Sequence, residues 1–354
     1  MTGQLAAYLR RRVGGQILAL LALLTAMMQV LELLDVTTEI LERGQGVGGL
    51  LYYALLRLPA ELGLALPLAV LLGTMIAMNA MARAAEITSM RASGVSLTRM
   101  LAYLMPVLLV FAALQVALLQ LVLPRVEIEL KQWWAAGARA AEQAPPLWAH
   151  TSGGPASFEI AGADGRRLRD VRLYAREAGL LTSRVRAASA RWDGQAWLLE
   201  DVTELRIEAD GIRRIHEDRR EWRTNLQPDE VLRLGFARPH LSSMMLADVI
   251  AGSRVGTQPL SYYQTALYRS FTAPLGVFIM LLLALPTAAT RGRDGGGGGA
   301  MLIALMLGLG FLLLDGIAAA LGSSGQLSPQ ATALLAPLSF IVIGFLRLRA
   351  CERP

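Results

Sequence analysis

A membrane-spanning helix is predicted by residues 55–82, which read LLRLPAELGLALPLAVLLGTMIAMNAMA. The stretch holds only two charged side chains, Arg57 and Glu61, and it contains Pro59 and Pro67. An apolar helix needs roughly 20 residues, at a rise of about 1.5 Å each, to cross a hydrocarbon core of about 30 Å. Prolines are tolerated in such helices because neighbouring groups satisfy the freed carbonyl oxygens.

The rest of the chain repeats this apolar pattern. Its residues are 54% hydrophobic and its mean hydropathy is +0.44, values that are high for a water-soluble protein. Because the apolar residues lie in long runs, we predict an α-helical membrane protein with six transmembrane helices. The other five predicted spans are residues 13–34, 100–123, 262–289, 300–321 and 331–346.

Arginine placement predicts the orientation of these helices. Loops that carry an excess of positive charge remain in the cytoplasm. One side of the predicted membrane is rich in arginine and the other is poor, so we expect both termini to be cytoplasmic. The rich side holds Arg10, Arg11, Arg12, Arg83, Arg91, Arg99, Arg291, Arg293, Arg347, Arg349 and Arg353, and the poor side holds Arg43, Arg57 and Arg269.

A polar insertion separates the first three predicted spans, within residues 1–123, from the last three, within residues 261–354. The insertion, residues 124–260, carries many charges of both signs and is expected on the extracytoplasmic side. Its first part, residues 126–143, has the pattern of a helical continuation of the third span.

The remainder of the insertion is predicted to be an all-β domain, a β-sandwich or jelly-roll. Short runs of β-forming residues recur at even spacing, and Asp193-Gly194 between two of them is a strong hairpin signal. Such a succession of short strands is typical of sandwich and jelly-roll folds. The runs are residues 157–160, 171–176, 185–192 and 197–207.

The sequence lacks the common motifs for metal, nucleotide and nucleic-acid binding. Cys351 is the only cysteine, and the histidines have no ligand spacing, so no metal site is predicted. Lys131 is the only lysine and follows a leucine, which excludes a P-loop. The net charge of +6 comes from scattered arginines and does not indicate a nucleic-acid surface. Neither HExxH nor GxSxG occurs, so we predict no catalytic residues.

Charged residues in or near the predicted spans have two interpretations. Asp315 lies deep in the fifth span, Arg269 lies in the first turns of the fourth, and Glu32 and Asp35 lie near the outer end of the first. Such groups are costly in lipid and face a polar cavity or a partner. They either contact a polar substrate or partner subunit, or form structural ion pairs and snorkel to the interface.

The segment after the second span has the pattern of a short amphipathic helix over about residues 84–99. At helical spacing Ile87, Met90 and Gly94 share one face, and Glu86 and Arg91 flank it. A helix of this kind suits docking on a soluble partner. It equally suits a helix that lies on lipid head groups.

The same segment resembles the coupling-helix signature of the LptF/LptG family, the membrane permeases of the lipopolysaccharide export ABC transporter. The likeness extends over essentially the whole chain, and the Trp-x-Thr-Asn-Leu-x-Pro stretch and the chain length favour the LptG branch. The motifs that carry the resemblance are Glu86-Ile87-Thr88-Ser89-Met90-Arg91-Ala92-Ser93-Gly94, Pro59 and Pro67 followed by Leu71-Leu72-Gly73, Trp222 to Pro228, and Leu314-Asp315-Gly316.

The resemblance implies a bacterial inner-membrane transport subunit and not an enzyme. It would pair with an LptF-like paralogue above two copies of an LptB-like ATPase, which would bind the ATP and Mg²⁺. An LptC-like protein with one transmembrane helix would join them. Lipopolysaccharide would enter from the outer leaflet and leave on a periplasmic bridge of jellyrolls. The ATPase-coupling residues would be Glu86, Ile87, Met90, Arg91, Ala92, Ser93 and Gly94.

One departure from the family bears on the substrate site. Family members often place lysines near the outer end of the first helix, where this chain has Asp35, Leu41 and Glu42, with Arg43 nearby. Lys131 better matches a basic residue after the third helix. The candidate substrate contacts are chosen on their charge and on their predicted depth relative to the membrane. They are Asp35, Arg43, Arg125, Lys131, Arg269 and Asp315.

Two rival functions remain at this stage. Another lipid-exporting ABC permease is one, although those related to lipoprotein release carry their extracytoplasmic domain after the first helix. A membrane enzyme that modifies envelope lipids is the other, and it would need catalytic groups that the sequence does not reveal.

Overall fold

The computed structural model describes residues 2–137, 146–151, 154–162, 164–177, 180–208, 211–234, 241–253, 258–288 and 297–352. Its contacts divide the chain into two compact units. The first unit comprises residues 1–36, 57–123 and 264–354, and the second comprises residues 37–56 and 124–263.

The six predicted spans are confirmed as long apolar helices. Most extend several residues beyond the apolar stretches, because their polar ends remain helical. The third continues through a π-helical turn, Leu118–Val122, into a further helix, as predicted, and residues 138–143 of that prediction lie outside the described residues. The helices are α1 Thr2–Glu42, α2 Gly46–Arg83, α3 Glu86–Ala92, α4 Leu97–Ala117, α5 Leu123–Gly137, α6 Pro228–Leu234, α7 Ser243–Ile250, α8 Leu260–Ala284 followed by the 3-10 turn Leu285–Ala288, α9 Gly297–Ser323 and α10 Pro329–Glu352.

Helices α1 and α2 pack in a closely fixed antiparallel register. A Cβ atom at Gly73 would lie 2.7 Å from the Cα atom of Ile17, so only glycine allows this approach of the two backbones. Further along, the Arg57 guanidinium lies 2.7 Å from the Glu32 carboxylate. The two contacts together place Glu61 at about the level of Gln29.

An antiparallel six-stranded sheet lies between the third and fourth spans, which confirms the inserted all-β domain. The strands follow one another in chain order, so each described connection joins neighbours. Four of them contain the predicted runs, and the first and last were not predicted. The strands are β1 Leu147–Thr151, β2 Gly154–Ile160, β3 Arg167–Glu177, β4 Leu180–Trp192, β5 Trp197–Glu208 and β6 Gly211–Trp222.

The predicted hairpin at Asp193-Gly194 is confirmed between β4 and β5. The Asp193 carboxylate accepts hydrogen bonds from the backbone N–H groups of Gln195 and Ala196, each at 2.8 Å. These bonds lower the pKa of Asp193 below its ordinary value. The turn therefore combines glycine's conformational freedom, at φ 114°, with a charge-assisted anchor.

One face of the sheet is a hydrophobic core closed by the segment that follows β6. Trp197 and Phe158 are fully buried there and pack with Leu226 and Val231. The Trp197 indole N–H donates to the Leu226 carbonyl oxygen at 2.9 Å. The Trp222-x-Thr-Asn-Leu226 stretch thus leads the chain from the last strand over the core.

Candidate functional site

Helix α3 is shorter than the predicted amphipathic segment. It ends at Ala92, and Gly94 adopts a left-handed conformation at φ 84°, with its N–H bonded to the Arg91 carbonyl. Ser96 then caps α4, since its hydroxyl accepts from the Arg99 N–H at 3.2 Å. Gly94 therefore lies outside the helix face on which its spacing placed it, and no described residue except its chain neighbours comes within 4 Å of a Cβ built there.

The apolar face of α3 packs into its own chain. Ile87 and Met90 are buried in the core of the helical unit, so neither is available on the surface of this chain. The opposite side of the segment is exposed and consists of small, polar and basic side chains. These are Thr88, Ser89, Arg91, Ala92 and Ser93, with Arg83, Ala84 and Ala85 before them.

Two contacts from distant parts of the chain hold this segment. The Tyr8 hydroxyl lies 3.0 and 3.1 Å from the two carboxylate oxygens of Glu86 and donates to that group. At the start of α4, the Thr98 N–H donates to the Glu352 carboxylate at 2.7 Å. Sequence reasoning missed both partners, because their separations of 78 and 254 residues leave no periodic signal.

Arg269 and Asp315 are brought together as an ion pair between α8 and α9. The guanidinium donates to the two carboxylate oxygens at 2.9 and 2.6 Å and to the Asp315 carbonyl at 2.9 Å. A two-pronged pair of this kind is the strongest geometry available to arginine and carboxylate. Among the interpretations left open by the sequence, this is the geometry of a structural ion pair.

A second charged group connects α1 and α2. Glu32 is paired with Arg57 at 2.7 Å, and Glu61 follows Arg57 by one helical turn. Glu61 is only 5% exposed, and neither carboxylate oxygen has a hydrogen-bond partner within the described residues. The side chain of Gln29 is likewise without a partner in that part of the chain. Glu61 was not among the candidates predicted from the sequence.

The candidate Arg43 is engaged by its surroundings. Its guanidinium contacts the Glu39 carboxylate at 2.5 Å, donates to the Trp134 carbonyl at 2.9 Å and lies 4.3 Å from the centre of a Trp134 ring. The Tyr53 ring packs against Trp134, and the Tyr52 ring packs against the adjacent Trp133. Such aromatic clusters are typical of membrane–water interfaces.

The remaining candidates differ in accessibility. Arg125 is exposed, with no hydrogen bond or ion pair to another described residue, and the same holds for Asp35. Lys131 is half-buried and interacts with its surroundings. Asp35, Arg269 and Asp315 lie in the helical unit, whereas the other three candidates, Arg43, Arg125 and Lys131, lie in the second unit.

Comparison with known proteins agrees with this architecture. Residues 7–350 match the family model described as lipopolysaccharide export system permease LptF/LptG. The permease protein LptG of Escherichia coli K12 is 25% identical over 354 residues, with 96% of each chain covered. LptG of Haemophilus influenzae is 23% identical over 291 residues, covering 80% of this chain and 81% of the relative.

Proposed function

This chain belongs to the LptF/LptG family of lipopolysaccharide export permeases, and on that premise we propose that it is the LptG-like half of an ABC transporter. It would extract lipopolysaccharide from the inner membrane and pass it to a periplasmic bridge toward the outer membrane. The observation that carries the proposal is the family match over residues 7–350, together with the exposed side of α3.

The exposed side of α3 is the proposed contact with the partner ATPase. Ile87 and Met90 are buried and pack the helix against its own chain, so they do not contact the partner directly. The residues that would contact the ATPase are Thr88, Arg91 and Ala92, whose side chains are exposed. Small residues permit close approach of a partner, and Arg91 offers a charge for an acidic group. Glu86, at the start of α3, would contribute at the margin of this contact, where its carboxylate also accepts a hydrogen bond from Tyr8.

The partners follow from the proposed assembly. An LptF-like paralogue would complete the cavity, an LptB-like dimer would bind and hydrolyse ATP with Mg²⁺, and an LptC-like protein would receive the lipid. This chain itself would bind no cofactor. The arginine-rich ends of the spans support an orientation with both termini in the cytoplasm and the β domain in the periplasm.

Arg125 is the candidate best suited to contact the phosphates of the lipid. Its guanidinium is exposed and not engaged by another described residue, whereas Arg43 and Arg269 are held by their own carboxylate partners. Arginine binds phosphate through two parallel hydrogen bonds, which needs free N–H groups. Lys131 stays a second candidate, since its side chain is only partly buried.

A pair of bulky substitutions tests the proposed docking surface. Thr88→Trp introduces a large side chain on the exposed side of α3, and Ser324→Trp does the same in the exposed α9–α10 connection. We expect Thr88→Trp, but not Ser324→Trp, to prevent an LptB-like ATPase from co-purifying with the membrane complex. In reconstituted complexes, lipopolysaccharide should stimulate ATP hydrolysis in the parent and in Ser324→Trp only.

Two results would count against the proposal. If Thr88→Trp retains the ATPase and its stimulation, α3 does not dock on that partner. If no ATPase co-purifies with the parent, the chain is not the permease subunit of an ABC transporter.

A further inference from the structure

A polar cavity of about 310 Å³ opens on the face of the β-sheet that is opposite to the hydrophobic core. Side-chain alternation along the strands builds it. In β4, Val185 and Ala187 point into the core, so Arg184, Arg186 and Ala188 point to the other face. The lining is completed from β5 and β6 by Asp201, Thr203, Leu205 and Arg214.

Cross-strand register brings two arginines to the same row of this face. Leu205 pairs with Arg184 on one side and with Arg214 on the other. Directly opposite residues share a face, and alternate strands lie about 10 Å apart, so the two long side chains reach toward the space above Leu205.

The small side chain of Ala188 leaves room for the cavity. Ala188 and Asp201 both lie between the register pairs Ala187–Val202 and Ser189–Glu200. Asp201 has a left-handed φ of 55° and lies 3.9 Å from the His216 ring nitrogen. A carboxylate thus borders the cavity at one end, and arginines border it at the other.

The arginines of the cavity differ in whether they are already engaged. Arg186 donates to the Asp170 carboxylate at 3.0 Å, and Arg172 contacts the same carboxylate. Burial disfavours the charge on Asp170, but the hydrogen bonds from the two arginines outweigh it and lower the pKa of Asp170. Arg184 and Arg214, in contrast, form no hydrogen bond or ion pair with any residue that the structure describes.

An aromatic pair continues the same face. Tyr174 pairs in register with Arg184, and the Trp148 ring stacks on Tyr174 with centroids 5.6 Å apart and an interplanar angle of 21°. Trp148 is 54% exposed, so its ring is accessible beside the cavity. Flat aromatic rings next to hydrogen-bonding groups suit the apolar and polar faces of a sugar.

We infer that this cavity binds an anionic sugar, whose phosphate or carboxylate is held by Arg184 and Arg214 and whose hydroxyl groups bond to Asp201 and Thr203. Two unengaged guanidinium groups supply donors in the geometry that such anions accept. The site lies on the sheet alone and does not depend on the ATPase or on the proposed export path. Its ligand is either part of a larger lipid-linked saccharide or a free sugar phosphate.

The test uses the full chain in nanodiscs and calorimetric titration with glucose 1-phosphate. We expect saturable binding that weakens by about tenfold or more in Arg184→Gln/Arg214→Gln, since two charge-assisted contacts are removed. The control Arg213→Gln/Arg219→Gln removes the same charge from exposed positions of β6 that do not line the cavity, and it should bind like the parent. Ala188→Glu, which places a carboxylate in the cavity, should abolish binding without disturbing the core.

Each other result has a defined meaning. Equal weakening in both double variants would reveal a nonspecific basic surface and overturn the inference, as would absence of saturable binding. If inorganic phosphate binds as tightly as glucose 1-phosphate, the cavity recognises the phosphate and not the sugar, which would overturn that part of the inference. Binding of a polyglutamate peptide, but not of the sugar phosphate, would assign the face to a protein partner instead. Competition by purified lipopolysaccharide would identify the lipid-linked source.

Discussion

Arg269 and Asp315 lock α8 to α9 through two parallel hydrogen bonds between guanidinium and carboxylate, at 2.9 and 2.6 Å. A third bond, to the Asp315 carbonyl, fixes the arginine against the helix backbone. The pair lies within two helices that are long and apolar enough to cross a membrane. Both charges therefore depend on each other for compensation.

The first prediction follows from this dependence. Asp315→Ala leaves an uncompensated guanidinium between two apolar helices, and it should cost about 2 kcal/mol or more of stability. Arg269→Met combined with Asp315→Leu removes both charges and should cost much less. Thermal unfolding of the protein in detergent measures both effects. Equal losses in the single and double variants would contradict this account.

The second prediction concerns Glu61. Its buried carboxylate has no hydrogen-bond donor among the described residues, so Glu61→Gln should leave the stability unchanged or raise it slightly. Glu32→Gln should lower the stability by about 1 kcal/mol or more, because it removes the carboxylate that pairs with Arg57. The same thermal assay applies, and a larger loss in Glu61→Gln than in Glu32→Gln would refute the assignment.

The third prediction separates the two roles of Glu86. Tyr8→Phe removes one exposed hydrogen bond and should change the stability little, with the ATPase still bound. Glu86→Lys reverses a charge at the proposed contact and should release the ATPase while the protein still inserts into the membrane. Co-purification from membranes compares the two variants. Normal transport in Glu86→Lys would favour a helix that lies on lipid.

The fourth prediction is a pH dependence of the β domain. Hydrogen bonds from Arg220 and then Arg206, opposed by burial, lower the pKa of Glu204 below its ordinary value of 4.5. The stabilisation is therefore complete above pH 4.5 and is lost as the pH falls through the lower, folded-state value. Arg220 also holds Glu217, at 2.7 Å.

This pH dependence can be isolated by substitution. Unfolding temperatures measured between about pH 3 and pH 7 should fall less steeply with acid in Glu204→Gln than in the parent. Glu221→Gln is the matched control, because Glu221, near the end of the neighbouring strand β6, pairs with Arg223 on the exposed surface. If both variants behave alike, the buried ion pair does not govern the acid sensitivity.

The fifth prediction addresses orientation. A reporter that is active only outside the cytoplasm should be active when it is inserted at Gly194, in the β4–β5 turn. A second reporter, which is active only inside the cytoplasm, should be active when it is inserted at Gly297, where α9 begins, and inactive at Gly194. Cytoplasmic activity at Gly194 would overturn the orientation drawn from the arginines.

The spans and the hairpin were predictable because they depend on local composition and turn chemistry. A run such as residues 55–82 has few alternatives to a buried helix, and Asp193-Gly194 specifies its own turn. Strand β6 was missed because Gly211–Trp222 is crowded with charges, which pair across the sheet and along the strand instead of alternating with apolar residues.

The candidate site was less predictable, since its geometry depends on contacts between distant residues. Helical spacing correctly grouped Ile87 with Met90, but it could not tell a face that binds a partner from one that packs inward. Arg43 and Arg269 were selected only on their charge and predicted membrane depth, but each is already paired with a carboxylate of this chain. Glu61, which has no hydrogen-bond partner among the described residues, gives no sequence signal apart from being charged within an apolar run.

The chain-order arrangement of the strands has a consequence for how the protein is made. Each strand pairs with the strand synthesised just before it, so all ladder contacts of the sheet are short in sequence separation. Low contact order favours rapid folding. The sheet can thus grow as the polypeptide emerges, before α8, α9 and α10 exist. Leu226 and α6 are the last described residues to join its core, so the core is completed only when residues 226–234 have been synthesised.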